Sequence, residues 1–366
     1  MSTFTPSTIE KNFFVDSISA SKRGKAYSIN DMYGSKLSKA YVEDAKVHDA
    51  NFAFLTTTLS KLHNTLYEPK YFVTYGQDIP VDVGGGFVDY VTYYTVDWAG
   101  IMNEFRNVMG NNANYIPRVN AGMTQKRVNV YTFEVAYDLR FVELEKMKKL
   151  TLQKSIQEIY NNAIVAGWDL FVQNVAYVGI QGGTGLFNNA NTLVTTIDNT
   201  TATGAGFAGM TDTEVVAFFN GVFETYLLNS NMNIGLLPDT FLVPSFVGSD
   251  LTSRFSALYT STLRKFIIEH NLGTDESGTD MKIIIASRPV LNTLGTGGHG
   301  RIVAYKKDKD FVRLDMPYAM QHFITLPNID KMSYTSAFVG QVSEVQLPYN
   351  TSDAEFGVVT YWDFTK

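Results

Sequence analysis

Apolar and polar residues alternate most clearly over residues 87 to 98. Val88, Tyr90, Tyr94, Val96 and Trp98 share one face, and Asp89, Thr95 and Asp97 the other. A period of two is that of a half-buried β-strand, and Gly84-Gly85-Gly86 stands before it as a flexible lead-in. A second alternating run sets Val128, Val130, Thr132 and Glu134 against Asn129, Tyr131, Phe133 and Val135. Asn/Gly-rich chain from Gly110 to Gly122 separates the two runs. Two strands joined through so long a tip predict a hairpin that projects from the body, and a loop of that length is usually functional. Its expected role is to reach a neighbour.

From Phe141 to Val178 the period changes to that of a helix, with Leu152, Ile156, Ile159, Ala163, Gly167, Leu170 and Asn174 at steps of three and four. Asp138 is the expected N-cap, Glu145 and Lys149 an i,i+4 pair, and Gly179 with Gly182-Gly183-Thr184-Gly185 the stop. A continuous helix of ~38 residues would span ~57 Å and act as a beam. After a Thr/Asn/Gly-rich loop over 191–210, Thr211 or Asp212 caps an apolar helix bearing Val215, Val216, Phe218, Phe219, Val222, Phe223 and Tyr226. Leu236 to Pro244 reads as a short buried strand followed by helix, and Lys282 to Ala286 as another strand. Alternation of helix and strand over about 210–300 predicts an α/β module. Strands return after Arg301 and end in Phe356-Gly-Val-Val-Thr-Tyr-Trp. Residues 1 to about 70 are polar and weakly patterned, which predicts an extended arm that finds its partners elsewhere. No internal repeat is visible.

Composition narrows the function classes. The 366 residues are 45% apolar and 18% charged, the balance of a globular protein of roughly two domains. Tyr and Phe are abundant (21 and 25), and such residues favour strand packing and interfaces. There is no Cys, so disulfides, thiolate metal sites and Cys nucleophiles are excluded, in keeping with a reducing cytoplasm. The N-terminus lacks a signal-peptide pattern, and no run approaches the ~18 apolar residues of a membrane helix. Net charge is −6, and the basic patch expected of a nucleic-acid grip is missing. Lys146, Lys148 and Lys149 are interleaved with Glu143 and Glu145, and Lys306, Lys307 and Lys309 with Asp308 and Asp310. Both clusters read as solvated faces.

Motifs that carry chemistry fail one by one. Gly204, Gly206 and Gly209 precede a helix but follow loop rather than strand; Gly295, Gly297 and Gly300 precede a strand. A dinucleotide site needs strand, Gly turn and helix N-terminus together. The second cluster also carries Arg301-Ile302 where a phosphate loop has Lys and Ser/Thr. His48, His63, His270, His299 and His322 show no zinc spacing, and no nucleophile elbow is present. Asp89 and Asp97, eight residues apart on one strand, stand ~27 Å apart and form no acid/base pair. Tyr90, Tyr93, Tyr94 and Trp98 without interleaved basic residues read as packing or interface rather than a base-stacking platform. No catalytic, cofactor-binding or metal residue is expected, and no enzyme.

The order of elements resembles the major capsid proteins of tailed bacteriophages, the Hong Kong ninety-seven type fold, an α+β class. The resemblance lies in a strand Arg127-Val-Asn-Val-Tyr-Thr-Phe-Glu-Val-Ala-Tyr-Asp-Leu139 running into a long helix. That helix ends in Gly179-Ile-Gln-Gly-Gly-Thr-Gly-Leu-Phe-Asn188, similar to the family's Gly-Leu-x-Asn after a Gly-rich turn. A second overlap is Thr211 to Asp250, a helix followed by Leu236-Leu-Pro-Asp-Thr-Phe-Leu-Val-Pro244. It covers about residues 75 to 366. It implies an N-terminal arm over 1–70, an extended β-hairpin loop over 84–137, a peripheral domain with a long spine helix over 138–200 and 301–366, and an α/β axial domain over 201–300. It further implies a virion protein, made in the bacterial host cytoplasm, that self-assembles into hexamers and pentamers of an icosahedral shell around double-stranded DNA. Scaffolding, portal and decoration proteins are the possible separate partners, with DNA touched weakly and without sequence specificity. A near-neutral inner wall suits DNA that must slide during packaging. The chain starts at Met1 without a long charged coiled-coil stretch, so no cleaved propeptide is expected, and no residue is assignable to Lys–Asn cross-linking. The alternatives are an encapsulin-type compartment shell filled with enzyme cargo, a nucleotide-using α/β enzyme on one Gly motif, and a tail-tube protein.

Overall fold

The computed structural model describes residues 69–99, 120–148, 155–200, 203–230, 232–256, 259–277, 281–348 and 358–365, all within the compact unit Tyr67–Lys366. The expected arm over 1–68, the hairpin tip over 100–119, Lys149 and Leu152 lie outside the described residues.

A five-stranded sheet is the centre of the body. Its strands are β4 (Leu193–Ile197), β5 (Thr240–Val243), β8 (Ile284–Ser287), β9 (Arg301–Tyr305) and β14 (Thr360–Phe364), in the order β4-β14-β9-β5-β8. β4 runs parallel to β14 and β5 parallel to β8, while β9 is antiparallel to both its neighbours. Side chains alternate across the sheet, so Ile302, Ala304, Trp362 and Phe364 enter one core and Val303, Tyr305 and Tyr361 the other. Both faces are covered, and for that reason β9 and β14 read as nearly unbroken apolar runs.

Helix α4 (Asp212–Asn229) covers the first face with Val215, Phe219, Val222, Phe223 and Tyr226. Its start is the expected one. Thr211 Oγ1 accepts from the Glu214 amide at 3.4 Å while the Glu214 carboxylate accepts from the Thr211 amide at 2.7 Å, a reciprocal capping box. Helix α5 (Ser245–Ser253) follows Pro244, again as expected. Three shorter strands or helices on this side are β6 (Phe255–Ser256), β7 (Ser261–Thr262) and α6 (Leu263–Glu269), followed by α7 (Leu272–Ser277).

The second face is covered by α3 (Ile156–Tyr177), and here the structure corrects the expected beam. The preceding strand β3 (Asn120–Arg140) runs through Asp138 to Arg140, after which come a short α2 (Phe141–Lys148) and then α3, freshly capped by Ser155, which accepts from the Glu158 amide. Asp138 is no helix cap. It pairs with Thr335 in a β-ladder, and its carboxylate takes the Thr335 hydroxyl at 2.5 Å. The ladder wins because Val135, Tyr137 and Leu139 are strand formers whose partners, in β12 (Ser333–Ser343), lie some two hundred residues away. The 22 residues of α3 span about 33 Å. Its buried stripe is also displaced from the expected one: Ile164, Trp168, Val172 and Val175 face inward, while Ala163, Leu170 and Asn174 face out. Gly179, with φ +79°, ends the helix as expected.

A second sheet, β11 (Tyr318–Asn328), β12, β3 and β2 (Tyr90–Ala99), carries the hairpin. Strand β3 changes partner midway: Asn120–Asn129 pairs with β2 and Val130–Arg140 with β12. A small third sheet of β1 (Val81–Val83), β10 (Arg313–Met316) and β13 (Val345–Gln346) lies beside the short helix α1 (Tyr75–Asp78) in sequence. The α+β class is as expected. The segments 138–200, 201–300 and 301–366 all contribute strands to the central sheet, so the boundaries drawn from sequence fall between neighbouring strands of one sheet.

Candidate assembly surfaces

The motifs tested in the sequence resolve into packing. Gly206 and Gly300, one from each Gly cluster, face the same ring: a Cβ on either would stand 2.5 or 2.6 Å from Phe246. Two loops close on one aromatic plate. The described histidines are isolated, with His270 stacked on Phe266 and His322 against Thr325 and Phe338. Among the described residues no group of three or more His, Asp or Glu gathers as a metal site.

Three buried polar clusters tie distant segments together, and sequence reasoning missed all three. Asp78 is gripped by Arg288 through Nε at 2.6 Å and Nη2 at 2.5 Å, receives the Tyr177 hydroxyl, and offers its backbone carbonyl to Tyr305 at 2.7 Å. Burial, then the neighbouring Asp78 charge, pushes the Tyr177 hydroxyl well above its usual range. Asp363 takes Arg301 Nε at 2.6 Å and Nη2 at 2.8 Å, and the Thr296 amide and hydroxyl at 2.8 and 2.7 Å. Burial alone would raise the Asp363 carboxyl, but Arg301 and Thr296 outweigh it and hold it below the ordinary range. Arg301 also lies over the Tyr361 ring, 4.4 Å from its centre. The third cluster is Glu344, whose Oε1 accepts from Tyr131 at 2.7 Å and Asn129 at 3.3 Å. The signal that was available is a lone charge inside an apolar strand, such as Asp363 between Trp362 and Phe364. Such a charge folds only when paired.

The outer surface is unusual for what it leaves uncovered. On β2 the face predicted to be buried, Tyr90, Tyr94 and Val96, is the exposed one in the single chain, between 56 and 60% open, while Val91, Tyr93 and Thr95 are half-buried. Met123, directly across from Val96, extends that exposed face. The aromatic run is therefore split between two faces, with Tyr93 on the covered side.

Further apolar surface lies at the end of the β11–β12 pair. Ile329, Met332 and Tyr334 stand open beside Phe141 of α2, around a groove of about 250 Å³. A larger groove of about 500 Å³ crosses the second sheet, lined by Phe87, Ala136, Phe323, Ala337 and Val339 with Glu134 at its side. On α3 the outward stripe of Ile159, Ala163, Gly167 and Leu170 forms a third, of about 280 Å³, with Pro69 and Tyr71. No helix among the described residues is long and apolar enough to cross a membrane.

Known structures share this arrangement. The capsid protein of Myoviridae phage XM1 superposes with a TM-score of 0.64 at 16% identity, over 84% of this chain and 97% of that one. The capsid protein of a native GTA particle does so with a TM-score of 0.54 at 8% identity, over 84% and 96%. The mature capsid protein of bacteriophage PhiM1 gives 0.51 at 10% identity, over 84% and 92%. At such identities the likeness is one of fold. No curated protein matches the sequence. The sequence itself supplies the family: residues 106–352, about two thirds of the chain, match the model for the family described as major capsid protein. The chain therefore belongs to the family of major capsid proteins, structural subunits of the virion shell, and has the fold of phage capsid subunits.

Proposed function

We propose that this chain forms hexamers and pentamers that tile an icosahedral shell around double-stranded DNA. In this reading residues 1–70 are an arm laid on adjacent subunits, and 84–137 an extended loop that overlaps a neighbour. Residues 138–200 and 301–366 form a peripheral domain with α3 as its spine, and 201–300 an axial domain at the capsomer centre. The observation that carries it is the hairpin. Its aromatic face is open to water, although Tyr and Val at alternate positions are what a strand uses to bury itself. A second copy is the natural cover. Net charge of −6 supports an inner wall that touches DNA weakly, with scaffolding, portal and decoration functions left to separate proteins.

Electron microscopy of the purified full-length chain, alone and with a candidate scaffold, tests the proposal. Closed shells with five- and six-fold capsomers are expected. A folded chain that stays monomeric, or that builds hollow cylinders, overturns it. Shells recovered from infected cells with an enzyme cargo in place of DNA would turn the reading to a compartment protein.

A further inference from the structure

The hairpin leaves the body by two unequal routes. One is Gly84-Gly85-Gly86, with φ of +131°, +123° and +78° and nothing within 4 Å of where a Cβ would stand. Its Gly84 and Gly86 amides donate to the Met316 and Pro317 carbonyls at 3.0 and 3.1 Å. The other is β3, which at Asn129 to Tyr131 passes from pairing with β2 to pairing with β12. At that crossing the alternation skips a beat, since Val130 and Tyr131 are both half-buried.

The crossing is clamped by Glu344, which is 7% exposed. Its amide donates to the Asn129 carbonyl at 3.0 Å, and its Oε1 accepts from Asn129 and Tyr131. The Tyr131 hydroxyl also lies 3.0 Å from the carbonyl of Ile180, in the turn that ends α3. Gly183, in the same turn, is seated against the clamp, because a Cβ there would collide with both the Tyr131 hydroxyl and the Glu344 carboxylate. Helix end, strand crossing and carboxylate thus meet at one point.

We infer that Glu344 and Tyr131 are positioning residues that fix the angle at which the hairpin leaves the body, and through it the curvature of the shell. The inference rests on the assembly reading above. Ten residues of β2 reach about 34 Å from this joint, so a tilt of about 5° displaces the far end by roughly 3 Å, enough to mis-seat side chains on a neighbour.

The test uses full-length Tyr131→Phe, which keeps the ring and removes the hydroxyl's bonds to Glu344 and the Ile180 carbonyl, and Glu344→Gln, which keeps the shape and weakens the clamp by removing the carboxylate charge. Hydrogen exchange on the unassembled subunit is expected to rise on the order of tenfold at β2 and Asn120–Asn129 while the amides of β5 and β9 keep their protection. Particles formed from the same variants are expected to show a broader spread of diameters. Unchanged hairpin exchange overturns the inference, as does raised exchange with parental particle diameters. Loss of protection across β5 and β9 also overturns it, since the cluster is then an ordinary element of stability. Failure of the parent chain to form shells counts against the assembly reading, whereas the exchange result on the subunit stands independently of it.

Discussion

Replacing Tyr94 by Ser separates what the hairpin does for the subunit from what it does for the shell. Tyr94 is 60% exposed in the single chain. A tyrosine carries roughly 200 Å² of buriable surface, so about 120 Å² remains for a neighbour to cover. At about 25 cal/mol per Å² complete coverage is worth up to about 3 kcal/mol, and ordering at an interface reduces this to about 1–2 kcal/mol per contact. That is a factor of roughly 5–30 in each contact equilibrium, and the threshold concentration for assembly is expected to rise by at least that much. Light scattering against protein concentration measures the threshold. The thermal midpoint of the isolated subunit is expected to move by less than about 2 °C, because the lost side chain stands mostly in water at home. A midpoint lowered by several degrees with an unchanged threshold would refute the reasoning, since the ring would then be packed on its own body.

Removing one partner of the buried pair in Asp363→Ala leaves Arg301 without its bidentate acceptor and frees the Thr296 amide, with an expected loss of about 3–5 kcal/mol in urea unfolding. Gly340→Ala places a methyl 2.8 Å from the Trp168 ring and 3.0 Å from the Met320 Cα, and overpacking of about 1–3 kcal/mol should appear together with an altered tryptophan emission. Thr211→Ala removes the capping box of α4 for about 1 kcal/mol, read by the same urea titration. Burial first, and then Glu344, raises the Tyr131 hydroxyl to about 12, and burial raises Tyr361 to about 12, from 10.0. Both folded-state values lie above the unfolded one. Their contribution to stability is therefore complete below pH 10 and lost as pH rises from 10 through 12. Tyrosinate absorbance followed beside the unfolding signal checks the order of events.

Several elements were legible from local pattern alone. The strands expected from the patterns at 87–98 and 128–135, the stop at Gly179, the cap at Thr211 and the strand before Pro244 all appear close to where expected, because each depends on a few consecutive residues. The failures share one cause. Period two on β2 identifies an apolar stripe but not what covers it, so Tyr90, Tyr94 and Val96 were read as buried. Helix α3 carries two apolar stripes, and only the seating of Trp168 against Phe133 and Gly340 decides which faces inward. The β3 strand outlasts its expected end because β12 supplies partners from far along the chain. The polar clusters were hidden for the same reason, Asp78 and Arg288 being 210 residues apart.

A helix apolar on two sides belongs inside a core, yet on α3 the stripe of Ile159, Ala163, Gly167 and Leu170 faces outward, with Ala163 and Leu170 exposed. The subunit is not short of core to explain this. Both faces of the central sheet are filled, and Asp78 with Arg288 and Asp363 with Arg301 fasten the body from within. The open apolar side chains include those of the hairpin, of the end of the β11–β12 pair and of the outer stripe of α3. On the proposed reading, stability and assembly rest on separate residues. Substitutions such as Phe219→Ala in the core should lower the unfolding midpoint of the subunit, while those such as Ile329→Ser on the open surface should leave it in place and change only what the subunit builds.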